Sequence, residues 1–175
     1  MNSFLKKPPI LPMLQTLRSI NRRAVAVERA LAGSLVFAVF VVVLMQVVMR
    51  YVFQRPNPWT EELSRFGFIW VSMLGAALAV ELKSHFVFDQ LVKMLGPKLG
   101  KLMRIGSTAF VATLALGLVV VGLQLVALAA GQRSPALDLP IGWIYASVPV
   151  AGTLMLLHIV AGLDTVLSDK REDET

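Results

Sequence analysis

The stretch Ile105 to Ala130, IGSTAFVATLALGLVVVGLQLVALAA, runs for 26 residues without an Asp, Glu, Lys or Arg. Crossing a bilayer as a helix takes about 20 apolar residues, with a range of about 17–25. This stretch is therefore a membrane span. Three more charge-free runs accompany it: Ala30 to Met49 (20 residues), Phe66 to Val80 (15) and Leu139 to Leu163 (25). The first and last pass on length. The second is short by itself. The pattern predicts an all-α membrane protein with four transmembrane helices, spans lying at about residues 30–50, 60–81, 101–130 and 139–163.

Composition agrees. Hydrophobic residues make up 56% of the 175-residue chain and charged residues 16%, with a mean hydropathy of +0.69. Soluble domains are nearer about 45–50% apolar and about 25% charged. The absence of cysteine excludes disulfides and thiolate metal sites. A formal charge of +6 suggests nucleic acid in a soluble protein. In a membrane protein it reflects topology, so no nucleic-acid partner is expected. No cleaved signal peptide is read at the start, because Pro8, Pro9 and Pro12 interrupt the apolar residues after Lys6 and Lys7.

The connections sort the basic residues. With the N-terminus inside, thirteen Lys and Arg fall on the inner side and four outside. The positive-inside rule therefore puts both termini in the cytoplasm. The chain divides into a cytoplasmic segment (residues 1–29), a membrane domain (30–163) and an acidic cytoplasmic tail (164–175). Ile10, Met13, Leu14, Leu17, Ile20 and Ala24 recur at helical spacing opposite Gln15, Arg18, Arg22 and Arg23, which suits an N-terminal amphipathic helix on the headgroups. Phe88, Leu91, Val92 and Leu95 form a shorter stripe of the same kind in the second loop, ended by Gly96-Pro97. A helix packed beneath a partner subunit explains both stripes equally well.

Ionisable groups inside a bilayer mark ion paths or proton relays, and none lies within the four runs. Gln46, Ser72, Thr108, Thr113, Gln124, Ser147, Thr153 and His158 are among the polar residues there, of the kind that bonds a helical carbonyl or a neighbouring helix. Catalytic signals are equally thin, with no Gly-x-Ser-x-Gly turn and no paired membrane carboxylates. The chain reads as a partner subunit, not an enzyme, with no cofactor. One alternative stays open: His85 and His158 both lie toward the inner side, so a bis-histidine haem in the membrane anchor of a respiratory complex is compatible with the sequence.

The start of the second span is unusual. Asn57-Pro58-Trp59-Thr60-Glu61-Glu62-Leu63-Ser64-Arg65 reads as a helix N-terminus, with Asn57 or Thr60 as cap, Pro58 in the first turn and two carboxylates at the positive end of the dipole. Arg65 follows Glu61 by four and Glu62 by three, so all three share a face. The charge-free run beyond covers only about 22 Å, against a hydrocarbon core of about 30 Å. Either the bilayer thins or part of the Glu61–Glu62–Arg65 group enters the membrane, shielded by protein. Arg50 lies in the same layer as a possible member, and Trp59 and Trp70 flank the group. Gly75, Ala76, Ala77 and Ala79 would let another helix approach closely. In the third loop Asp138 is placed to cap the fourth helix, Pro140 near its first turn, Trp143 and Tyr145 in the outer aromatic belt, and Pro149 at a kink.

At these residues the chain resembles the small membrane subunit of tripartite ATP-independent periplasmic (TRAP) transporters, the DctQ-like family. The likeness rests on Arg50-Tyr51-Val52-Phe53, Trp59 through Arg65 with Trp70, Gly75-Ala76-Ala77 followed by His85, and Leu139-Pro140 through Trp143, Tyr145, Pro149 and Gly152. The resemblance implies a bacterial inner-membrane protein that braces a large transport subunit. It further implies a periplasmic protein that captures a C4-dicarboxylate, sialic acid or similar carboxylate, and a sodium-driven large subunit that carries it. Because the chain stops soon after the fourth span, that large subunit is expected as a separate polypeptide; membrane lipids complete the partners. Glu61, Glu62 and Arg65 are expected to stabilise the fold or the subunit contact, and Glu62→Ala or Arg65→Ala to lower the yield of the complex more than Lys98→Ala.

Overall fold

A computed structural model describes the backbone of residues 10–95 and 97–167, and side-chain surroundings over residues 16–82, 99, 100 and 102–163. Every regular element in it is helical: α1 (Ile10–Tyr51), α2 (Pro58–Leu95), α3 (Pro97–Leu128), α4 (Gly142–Tyr145) and α5 (Ser147–Leu167). They hold four segments long and apolar enough to cross a membrane: Thr16–Tyr51, Pro58–Leu82, Leu102–Leu128 and Gly142–Leu163. The last is α4 and α5 together. The segment opening α2 includes Glu61, Glu62 and Arg65, so the short second run gains its length by taking that group into the helix.

The two amphipathic stretches are not separate helices. Ile10 to Ala24 is the first part of an unbroken 42-residue α1. Residues 88–95 are the last two turns of a 38-residue α2. Among the described residues of α1 the buried positions are Asn21, Val25 and Glu28, while Ile20 stays half exposed. Those three recur at intervals of four and three, one face of a helix, and that face turns toward α5 and α2.

α1 packs along α2, α2 along α5, and α5 along α3, whereas α1 and α3 do not meet among the described residues. The core is built from small residues, with Ala77, Ala115, Ala151 and Met155 buried at its centre and Met73, Leu118 and Leu154 around them. Alanine here lets backbones approach, the contact that drives helix association where lipid is as apolar as any side chain. Glycine carries this furthest between α3 and α5. A Cβ on Gly152 would stand 2.8 Å from the Ala115 carbonyl oxygen, and one on Gly122 2.8 Å from the Pro149 nitrogen. At Gly75, among the described residues, nothing lies within 4 Å of where its Cβ would be, so the close approach expected there is not made within this chain.

Between α3 and α4 the chain forms a compact hairpin. Arg133 and Pro140 make an isolated antiparallel bridge, supported by Ser134 N–H to the Leu139 carbonyl (2.9 Å) and Ile141 N–H to the Gln132 carbonyl (3.0 Å). Asp138 takes a left-handed φ of 53°, a conformation Asp tolerates better than most residues. It does not cap the fourth helix. The helical turn begins at Gly142, after Ile141, which makes no side-chain cap; Asp138 instead pairs with Arg133 at 3.1 Å. Pro140 offers its carbonyl to Trp143 N–H at 3.1 Å. Trp143 is 71% exposed and Tyr145 38%, both facing outward. The helix is interrupted at Ala146, between α4 and α5. The cause is Pro149, which has no N–H to give the Tyr145 carbonyl four residues back and whose ring crowds it.

Replacing Gly152 by Ala sets a methyl against backbone that cannot yield, an overpacking expected to cost about 1–3 kcal/mol. Thermal unfolding in detergent should show Gly152→Ala melting well below the parent, with Gly75→Ala unchanged.

Candidate functional site

The two ends of the bundle each carry a buried carboxylate held by protein. At the end where α2 begins, Pro58 occupies the first helical position and Thr60 is fully buried, its hydroxyl donating to the Asn57 carbonyl at 2.7 Å. Two residues on, Glu62 is 8% exposed. Its Oε2 accepts the backbone N–H groups of Leu137 (2.8 Å) and Ala136 (3.1 Å) in the α3–α4 hairpin. A carboxylate on two amides is a charge-assisted arrangement, roughly twice as strong as neutral bonds. It ties the start of α2 to a loop some 75 residues further along the chain.

This separates residues that the sequence grouped together. Glu61 and Arg65 form an i,i+4 pair at 3.1 Å, with both side chains about two-thirds exposed (63% and 64%). Glu62 points away from them, into the hairpin. Arg50 makes no ion pair with either glutamate among the described residues; its guanidinium sits 6.0 Å from the Tyr51 ring centre. Trp59 is half-buried beside the group, and Trp70 lies deeper, where α1, α2 and α5 meet.

At the other end, where the described chain starts and finishes, the structure assembles a polar cluster from three helices. His158 of α5 is 3% exposed, and its Nδ1 stands 2.7 Å from Asn21 Oδ1. Its Nε2 stands 3.0 Å from Glu28 Oε2. Asn21 Nδ2 donates to Glu81 Oε2 on α2 at 3.2 Å. That bond orients the Asn21 amide so that its oxygen faces the ring, which assigns a hydrogen to Nδ1. Nε2 and Glu28 then share a further proton, either as imidazolium donating to carboxylate or as carboxylic acid donating to the ring. Glu28 is 2% exposed, and its Oε1 is buried without a partner among the described residues.

Sequence reasoning placed His158 as a packed, hydrogen-bonded side chain but did not find its partners. Asn21, Glu28 and Glu81 lie just outside the charge-free runs, where carboxylates pass for loop residues. The usable signal was the seven-residue spacing of Asn21 and Glu28, two helical turns on one face, next to an otherwise basic segment. The cluster bears on the haem alternative. Both ring nitrogens of His158 are engaged, so ligating iron through either would break a buried hydrogen bond; the His85 side chain lies outside the described residues.

Buried polar groups that hold helices together, on four helices able to span a bilayer, define a multi-pass membrane protein. Residues 39–167 match the model of the family described as tripartite ATP-independent periplasmic transporters, DctQ component, and the chain belongs to that family. It is a TRAP transporter small permease subunit, a transporter component and not an enzyme. Among curated relatives it is 29% identical over 137 residues to the sialic acid TRAP transporter permease protein SiaT of Haemophilus influenzae, covering 76% of this chain and 22% of the relative. It is 27% identical to the sialic acid TRAP transporter small permease protein SiaQ of Vibrio cholerae, covering 75% of this chain and 76% of the relative. With the isethionate TRAP transporter permease protein DctMQ of Oleidesulfovibrio alaskensis it shares 33% identity over 107 residues, 60% of this chain and 17% of the relative. The chain thus spans less than a quarter of two of these relatives and about three quarters of the third.

Two outcomes follow for variants. Glu62→Ala strands the amides of Ala136 and Leu137 and should cost about 1–3 kcal/mol, whereas Arg65→Ala removes an exposed pair and should stay within about 0.5 kcal/mol. Melting of the detergent-solubilised protein tests this; equal losses would contradict the separation drawn here. His158→Leu strands Asn21 and Glu28 together and should lower the yield of folded protein at least as far as Glu62→Ala, read by size-exclusion chromatography of matched membrane extracts.

Proposed function

We propose that this chain is the bracing subunit of a sodium-driven TRAP transporter that imports an organic acid. It sits in the bacterial inner membrane with both termini in the cytoplasm and works beside a large transport subunit on a separate chain. Membership of the small-permease family supports the partnership. The distribution of basic residues supports the orientation. Relatives named for sialic acid and isethionate transport agree with an anionic organic substrate. The observation that carries the bracing role is where the buried ionisable groups point. Glu62 holds the chain's own hairpin, and His158 holds Asn21 and Glu28 of the chain's own first helix. Groups committed in this way stiffen a scaffold, and ion coupling then falls to the partner.

The Glu62-anchored hairpin, with Trp143 exposed beside it, lies at the end opposite the termini. In the proposed orientation that end faces the periplasm, where a substrate-binding protein docks. Glu61, Arg65 and Arg50 are exposed around it and available to that contact or to the large subunit.

Affinity capture from native membranes should bring down a larger polytopic protein in constant proportion. Reconstituted in liposomes, the pair should take up the acid under a sodium gradient when the periplasmic protein is supplied, and this chain alone should take up none. Sodium-dependent uptake by this chain alone would overturn the assignment.

A further inference from the structure

A largely apolar cavity of about 590 Å³ opens among α1, α2 and α5. It extends from Ile20 to Leu35 along α1. That is fifteen residues of rise, about 22 Å. Leu74, only 5% exposed, belongs to its lining, and Val150 and Leu154 line it from α5. Arg23, an exposed cation, borders it near the Ile20 end, beside the terminal end of the bundle.

We propose that this groove is a binding site for one membrane phospholipid, with an acyl chain along α1 and the phosphate at Arg23. Two observations select this occupant. The length exceeds the hydrocarbon depth of one leaflet, half of about 30 Å, by enough to reach the headgroup layer. The lining is apolar along the groove except for Glu28, whose carboxylate is buried against His158, and the exposed cation stands near one end, the polarity of a lipid. A flexible hydrocarbon chain fits such a slot. Arg23 meets a phosphate with a fork of N–H donors. The site is independent of the bracing role, because it needs only α1, α2 and α5.

The protein, extracted in mild detergent with any large subunit that accompanies it, is stripped of loose lipid, titrated with palmitoyl-oleoyl-phosphatidylethanolamine and weighed by native mass spectrometry. One retained lipid per chain is expected. Leu31→Trp fills the groove from its half-exposed rim and should abolish that lipid, and Arg23→Glu should weaken it about fivefold or more. Leu123→Trp, on an exposed position of α3, should leave it in place. Val27→Trp, on the same wall, replaces Leu31→Trp if the latter does not elute as folded protein. Unchanged lipid retention in both groove variants overturns the proposal. So does efficient cross-linking of Leu31→Cys to the large subunit in native membranes, which would make the groove a protein contact.

Discussion

A carboxylate near the hydrocarbon of a bilayer must be met by protein, because neither lipid nor bulk water is there to solvate it. This chain meets that constraint at both ends of its bundle. Glu62 is met by two backbone amides of a hairpin, and Glu28 by a histidine whose other nitrogen is held by Asn21. Each solution joins elements far apart in the chain. Between them they fasten α2 to the α3–α4 hairpin at one end and α1 to α5 at the other, and Asn21 brings α2 in through Glu81.

Within that frame the packing is made by absence. Three alanines and Met155 make the central layer, and α3 and α5 approach closely where Gly122 meets Pro149 and Gly152 meets Ala115. Pro149 serves twice: it interrupts the helix after α4 and rests against Gly122. Small residues give tight contact but little apolar area to bury, so the polar ties at the ends carry the specificity of the arrangement. A fixed scaffold benefits from such a design, which agrees with the bracing role proposed for this TRAP small subunit.

Much of the site was written in local patterns, and the remainder was misassigned for one reason. Pro58 at a helix start, the pair Glu61–Arg65, and the break near Pro149 follow from local geometry and are found as read. Glu62 and Asp138 were matched to sequence neighbours, as ion-pair member and helix cap. The structure gives Glu62 to the hairpin, and Asp138 to Arg133 within it. A carboxylate accepts from whichever donors are nearest and least hydrated, and at Glu62 these come from residues 136 and 137, which no local spacing reveals.

By itself the sequence determined the number of helices able to cross a membrane, the distribution of charge along the chain, and the kinship with TRAP small subunits, because hydropathy and charge act through local composition. Only the tertiary structure decided which polar groups are buried together, that the amphipathic stretches continue α1 and α2, and where a lipid-sized groove opens. Those depend on which helix faces which. In a bilayer that choice is made by backbone approach and by partners for buried polar atoms, properties of pairs of helices that no single segment encodes.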